Sequence, residues 1–246
     1  MFDVPSSALA GAAVTAQALA GILADLTRSL PLPAAQAATL ATTCRRTAQV
    51  AAPRIRSSAD VAAIAAELIT AAQGLARNVA PGDAAAALYA AAGLASASTP
   101  VSASPVLTRA YALARVLAVG IEAACLGEAF LAEARSGFAD RPSATQARAR
   151  IDTAMAGASD RIASTLGEGP LSILAGAARQ CSTVLAAQAT TLQPVSVVNA
   201  MRSFPSGALA WSLYADPTRA AELVRRNAVG TPLFMPATLE ALTPKT

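Results

Sequence analysis

Histidine is absent from the 246-residue sequence, which removes the commonest general base, metal ligand and triad member together. Aromatic residues make up only 4% of the chain. A β-sandwich or barrel needs aromatic and β-branched strands, so neither is expected over most of the length. Three cysteines, Cys44, Cys125 and Cys181, lie far apart. An odd number without paired spacing argues against a disulfide framework or a zinc site. They read instead as small buried apolar residues in a reducing compartment. Charged residues are only 14% of the chain, and Lys245 is its one lysine. The start, Met1-Phe2-Asp3-Val4-Pro5, has no positive region, so no secretory signal is expected. The apolar stretch from Ala8 to Leu23 is too short to span a bilayer comfortably. A longer one, Val106 to Leu131, is interrupted by Arg109, Arg115, Glu122 and Glu128. No membrane span is expected.

What the sequence has in abundance is alanine, 67 residues of 246. Alanine is the best helix former, so the fold class expected is mainly α, an Ala-rich helical bundle. Each alanine buries little apolar surface, so stability must come from many helices or from neighbouring copies of the chain. The net charge is +4, and its arginines are dispersed. The densest clusters are Arg54/Arg56, Arg148/Arg150 and Arg225/Arg226, with no basic run of the kind that marks a nucleic-acid tail. Weak or no direct nucleic-acid binding is expected.

Proline and glycine divide the chain into helical segments. The first runs from about Ser6 to Leu30 and stops at Pro31 and Pro33. The second covers about Ala34 to Ala52, ended by Pro53. The third starts near Ser58, where Asp60 favours the helix dipole. The fourth follows Pro81-Gly82-Asp83 and ends near Ser98. Residues 1–98 thus form an N-terminal helical region. The uncharged Ser/Pro-rich segment 99–105 reads as a linker. Residues 106–192 form a long-helix bundle region, whose first helix runs from Val106 to Ser136. Val106, Ala110, Leu113, Leu117, Ile121 and Ala124 give that helix its apolar stripe. Pro142-Ser143 caps a further helix to Leu166, and after Gly167-Glu168-Gly169-Pro170 another runs to Leu192.

No catalytic constellation is found, and neither cofactor nor metal site is expected. Gly167-Glu168-Gly169 lacks the lysine and preceding strand of a phosphate loop. Glu122 and Glu128 are not spaced as a helical i, i+3 or i+4 pair and read as solvated surface charges. Cys44, beside Arg45 and Arg46, could have a lowered thiol pKa. It has no histidine or partner acid near it in sequence, so the chain is not expected to be an enzyme.

Past Leu192 the texture changes. Pro194 to Asn199 is β-branched and alternating, a short strand. Pro205-Ser206 opens a helix through Leu209, Trp211, Leu213 and Tyr214. Asp216-Pro217 starts a second helix through Arg219, Glu222 and Leu223. Asn227 ends it, as a residue tolerant of left-handed geometry. Pro232-Leu233-Phe234-Met235-Pro236 is extended, and Thr238 to Leu242 alternates as a second strand. Leu213, Leu223, Phe234 and Leu239 are the expected core of this small unit, Asp216 and Asn227 its caps, and Arg219–Glu222 a surface pair. Phe204 is the one aromatic candidate for a platform on its rim.

This strand–helix–helix–strand order resembles a LysM module. The run from Leu213 and Tyr214 through Asp216, Arg219, Ala220, Glu222 and Asn227, then Pro232, Phe234 and Pro236, is similar to the end of the DNA-circularisation tail proteins of Mu-like phages. That family reads Leu-Tyr-Gly-Asp, then Arg-Ala and Glu, an Asn, and Pro-x-Phe-x-Pro. Ala215 and Ala237 stand where the family has glycine, and Gly230-Thr231 replaces a basic residue or histidine before Pro232. The strand-rich domain that usually opens the family is not seen at the helical start of this sequence. The resemblance covers about the last 75 residues well and about 200 loosely. It implies that residues 193–246 are a LysM-like docking module. The chain would be a structural component of a contractile tail, at the baseplate hub or tail-tube junction. Its partners would be other tail proteins and copies of itself in a symmetric ring. The alternatives it implies are a DNA-end-binding protein delivered with the genome and a peptidoglycan-binding module. Virion localisation follows from the resemblance, with assembly in the host cytoplasm.

Overall fold

The computed structural model describes residues 5–243, so Lys245 and the Met1–Val4 part of the leader reading lie outside the described residues. The chain is mostly helical, with a small antiparallel two-stranded sheet near the C-terminus. It divides into two compact units, 1–136 with 149–184, and 137–148 with 185–246.

The first unit holds α1 (Ser6–Ser29), α2 (Ala34–Arg46), α3 (Ser58–Asn78), α4 (Pro81–Ala97), α5 (Pro105–Ala110) and α6 (Ala112–Arg135). It also takes most of α7 (Arg141–Leu166) and of α8 (Glu168–Thr191). Helices α1, α3 and α4 all pack on α6. The segment 99–105 therefore lies inside one unit, with α4 before it and α6 after it in contact. The contacts are made by small side chains: Ala12, Ala16, Ala72, Ala91, Ala114 and Ala118 are all fully buried. Alanine faces let helix axes approach closely.

The apolar stripe of α6 holds at Leu117 and Ile121, which are buried, and differs from expectation at its start. Its buried face runs through Ala114, Ala118, Ile121, Cys125, Ala129 and Ala132, whereas Val106 is 72% exposed. The cause is a break at Tyr111 (φ −90°, ψ 1°), which puts residues 105–110 on the separate helix α5 and out of phase with α6. The second predicted helix is also shorter than expected. After Arg46 the chain forms a wide π-type turn at Thr47–Ala51 and a 3-10 turn at Ala52–Arg54. Pro53 has no N–H to continue the ladder, and its ring crowds the preceding turn. At Ser58 the start is tighter than a dipole effect alone. Ser57 and Asp60 form a reciprocal capping box, and hydrogen bonds from the Arg56 N–H, then from the Ser57 hydroxyl and N–H, hold the Asp60 carboxyl below its usual range.

Glu122 is not a solvated charge. Its side chain is 3% exposed and binds Arg161 at 2.5 Å. Glu133, equally buried, binds Arg150 at 2.7 Å. Eleven residues separate Glu122 from Glu133 and Arg150 from Arg161, about three helical turns in each case. Two ion pairs in register thus zip α6 to α7 in antiparallel sense. The arginine that pairs with Glu122 lies 39 residues away, outside any i, i+3 or i+4 relation.

Helices α1 and α3, 24 and 21 residues long, are apolar enough to cross a membrane by length and composition, with 39% of each apolar window buried. The apolar stretch from Ala8 to Leu23 is thus part of the longer helix α1. The buried side of α1, including Ala12, Ala16, Leu19 and Leu23, belongs to the helix that packs on α6.

Candidate functional site

The second unit carries the residues singled out by the C-terminal pattern. It contains β1 (Val195–Asn199), α9 (Ser206–Tyr214), a 3-10 turn at Pro217–Arg219, α10 (Ala220–Arg226) and β2 (Thr238–Leu242). The strands pair antiparallel, with Val197 opposite Glu240 and Val198 opposite Leu239. Its core is Leu209, Ala210, Leu223, Met235, Leu239 and Ala241.

Phe234 is not in that core; it is 70% exposed, and Met235 takes the buried place. Neighbouring residues of an extended segment point to opposite sides. The Met235 N–H donates to the Phe204 carbonyl at 3.0 Å, which fixes the phase that turns the phenyl ring outward. Leu213 is half-buried against the core, and Leu223 is wholly buried. Trp211 is 62% exposed. Pro232 and Pro236 are exposed, and the Pro232 carbonyl accepts from Ser206 N–H at 2.7 Å, tying the extended segment to the start of α9. Phe204 is half-buried, with the Arg202 guanidinium 4.9 Å from its ring centre, so it is no open platform.

The polar residues of the pattern converge. Asp216 accepts from the Thr218 N–H at 2.9 Å and hydroxyl at 2.6 Å, and these bonds hold its carboxyl below the usual range. The Arg219 guanidinium lies 3.7 Å from the Tyr214 ring centre and binds Glu222 at 2.6 Å. Burial, then the Glu222 charge, push the Tyr214 phenol up. Asn227 ends α10 as expected, but at φ −94°, ψ 7° rather than in left-handed geometry. The left-handed residue is the next one, Ala228, at φ 49°. Asn227 has another task. Its amide donates to the Leu223 carbonyl at 2.9 Å and to the Glu240 carbonyl at 3.0 Å, and accepts from Glu240 N–H at 2.8 Å. One side-chain amide thus substitutes for a neighbouring strand along β2, satisfying backbone groups that would otherwise face outward.

Asp140 was missed. It caps α7 by accepting from the Ser143 N–H and hydroxyl at 2.9 and 2.6 Å, and it binds Arg226 at 2.7 Å. Burial pushes its carboxyl up, but the Ser143 and Arg226 hydrogen bonds outweigh that and hold it below the usual range. The cap is therefore Asp140, not Pro142-Ser143. The signal was available, since an aspartate two residues before a proline is a common helix start. The Arg226 partnership, 86 residues away in sequence, had no local signal. Beside this pair is an open groove of about 750 Å³, lined by Ser143, Gln146, Val197, Arg225 and Glu240 among others.

The three cysteines are all buried. Burial pushes the Cys44 thiol up to about 11 and Cys125 to about 12, and raises Cys181 as well. The Cys44 thiol is raised by burial rather than lowered by arginine, because consecutive helical side chains point about 100° apart and Arg46 is turned to Glu67 at 2.6 Å. Among the described residues no cluster of three or more His, Cys, Asp or Glu side chains could hold a metal ion. No protein-family model and no curated protein matches the chain.

Proposed function

We propose that the chain is a non-catalytic structural component of a contractile phage tail, at the baseplate hub or tail-tube junction, whose LysM-like C-terminal unit docks another tail protein. The observation that carries this reading is the placement of aromatic side chains in that unit. Leucine, methionine and alanine fill its core, while Trp211, Leu233 and Phe234 are set outside. A contiguous exposed apolar patch is the mark of a docking surface, and the reading takes these three side chains as members of one. The left-handed backbone of Ala215 (φ 55°, ψ 23°) supports the resemblance behind the reading. That conformation favours glycine, the residue the resembled family carries there. Ala237, its other departure from glycine, has no positive φ.

The exposed Trp211 and Phe234 also favour a second reading, a glycan reader, more than Phe204 does. Sugar sites combine an aromatic platform with converging polar groups in a groove. The 750 Å³ groove of this unit includes neither Trp211 nor Phe234 in its lining, so protein docking is preferred. The test is to tag the chain in cells that produce the tail, purify the particles by gradient sedimentation and count copies by quantitative mass spectrometry. The reading expects the chain in intact particles at a fixed ratio to the tube protein. Recovery only among slowly sedimenting proteins overturns it. Chitin-oligomer binding in the micromolar range would select the glycan reader. A complex with duplex ends surviving about 0.2 M salt would select the DNA-end protein.

A further inference from the structure

The first unit contains a second cavity, smaller and more enclosed, of about 270 Å³. Its walls are the end of α4, the Ser/Pro-rich segment before α5, the start of α6 and the last turns of α7. Six hydroxyl side chains line it: Ser96, Thr99, Ser102, Thr108, Ser164 and Thr165. Two arginines, Arg115 and Arg161, complete the polar lining, and no acidic side chain belongs to it.

The state of these groups is informative. Arg161 gives its Nε and Nη2 to Glu122 at 3.3 and 2.5 Å, leaving Nη1 free. Arg115 gives its backbone N–H to the Tyr111 carbonyl, but its guanidinium makes no ion pair or hydrogen bond with any described residue. The Thr99 hydroxyl oxygen is buried and has no hydrogen-bond partner. Ser102 Oγ accepts from the Ser104 N–H at 3.1 Å and keeps its own proton to give. Thr108 and Ser164 spend theirs on backbone carbonyls. With Glu122 offsetting Arg161, the cavity keeps one uncompensated positive charge and a set of unspent donors.

Arginine near the ends of α4 and α7 has an ordinary explanation, because helix C-termini carry partial negative charge. That explanation is incomplete here. Arg115 donates to none of those carbonyls, and a dipole leaves its five N–H donors unspent. Unpartnered hydroxyl and guanidinium donors around a compact cavity match a tetrahedral oxyanion, which accepts from several directions at once. The volume is below the usual range for a drug-sized ligand and suits a phosphate group. We propose that this cavity is a binding site for a tetrahedral oxyanion, phosphate or a phosphate monoester, held by Arg115 and the free edge of Arg161 with Thr99 and Ser102 donating.

The test uses the full chain. Inorganic phosphate is titrated by calorimetry against chloride at equal ionic strength, with a nucleoside monophosphate in a parallel arm. Saturable binding is expected, falling by about tenfold or more in Arg115→Gln, as loss of a charged hydrogen bond requires. Arg115→Gln should unfold at the wild-type temperature without phosphate, because Arg115 has no protein partner to lose. Thr99→Val, which keeps the shape and removes the hydroxyl, should also weaken binding and serves if Arg115→Gln does not fold. Tighter binding of the monoester assigns the site to a phosphorylated molecule, and binding of phosphate alone to the free ion. No saturable binding, or equal binding in wild type and both variants, overturns the proposal.

Discussion

The two units hold themselves together in different ways. In the first, helices of up to 24 residues lie wholly within the unit and meet through alanine, and the charges buried there come as paired zippers between α6 and α7. In the second, no helix lying wholly within the unit exceeds 9 residues, and order comes from caps, side-chain amides and ion pairs around a core of six residues. Long helices spread stabilisation over many small contacts, so single positions matter little unless they bury charge. A small unit concentrates stabilisation in a few side chains and can turn large ones outward only if those few suffice.

The contrast is sharpest in the small core. Leu223→Ala should cost about 3 kcal/mol, whereas Phe234→Ala should change stability by less than about 0.5 kcal/mol. The emission of Trp211, the chain's only tryptophan, reports unfolding of this unit in urea. Equal losses at the two positions would break the assignment of Met235, rather than Phe234, to the core.

In the helical unit the largest single effect should come from charge. Arg161→Ala strands Glu122, whose side chain is 3% exposed. The expected loss is about 2–3 kcal/mol, at the lower end for a buried pair because the arginine is 43% exposed. Adding Glu122→Gln should recover most of it in denaturant unfolding followed by circular dichroism. No recovery would mean that packing by the arginine stem, not charge, joins the helices there.

Acid should act on the second unit through Asp140. Its carboxyl is held below the ordinary range in the folded state. The stability it contributes is therefore complete above the unfolded value, about pH 4, and is lost as pH falls through the folded value. Asp140→Asn should lower stability at neutral pH and flatten this acid limb in a pH series of unfolding midpoints.

The smallest effect expected is a gain. Ala215→Gly should stabilise the second unit by about 0.5–1 kcal/mol, since only glycine takes the left-handed conformation without a Cβ penalty. A loss on thermal unfolding would show that the αL strain is offset elsewhere.

How much of this was legible in the sequence follows the same division. Helix positions in the first unit were readable because proline and polar starts mark their ends, as at Pro31 and Ser58, although Pro81, read as part of a turn, is the first residue of α4. The face each helix buries was less readable. With alanine on every side of α4 and α6 the apolar period is faint, and the break at Tyr111 carries no proline or glycine. In the second unit the strands and both helices stood out through Asp216-Pro217 and the alternating Val195–Asn199. The side facing the core did not, because Phe234 and Met235 are both apolar and only the Phe204 hydrogen bond chooses between them. Partnerships such as Asp140–Arg226 and Glu122–Arg161 join residues that no local spacing relates.

The central claim is that Trp211 and Phe234 are exposed in order to dock. It is tested most directly by the double variant Trp211→Ser with Phe234→Ser, followed through purified tail particles. Both side chains lie outside the core, so the variant should keep the wild-type circular dichroism and unfolding temperature yet be missing from particles that contain the wild-type chain. Normal incorporation of a folded double variant would contradict the claim.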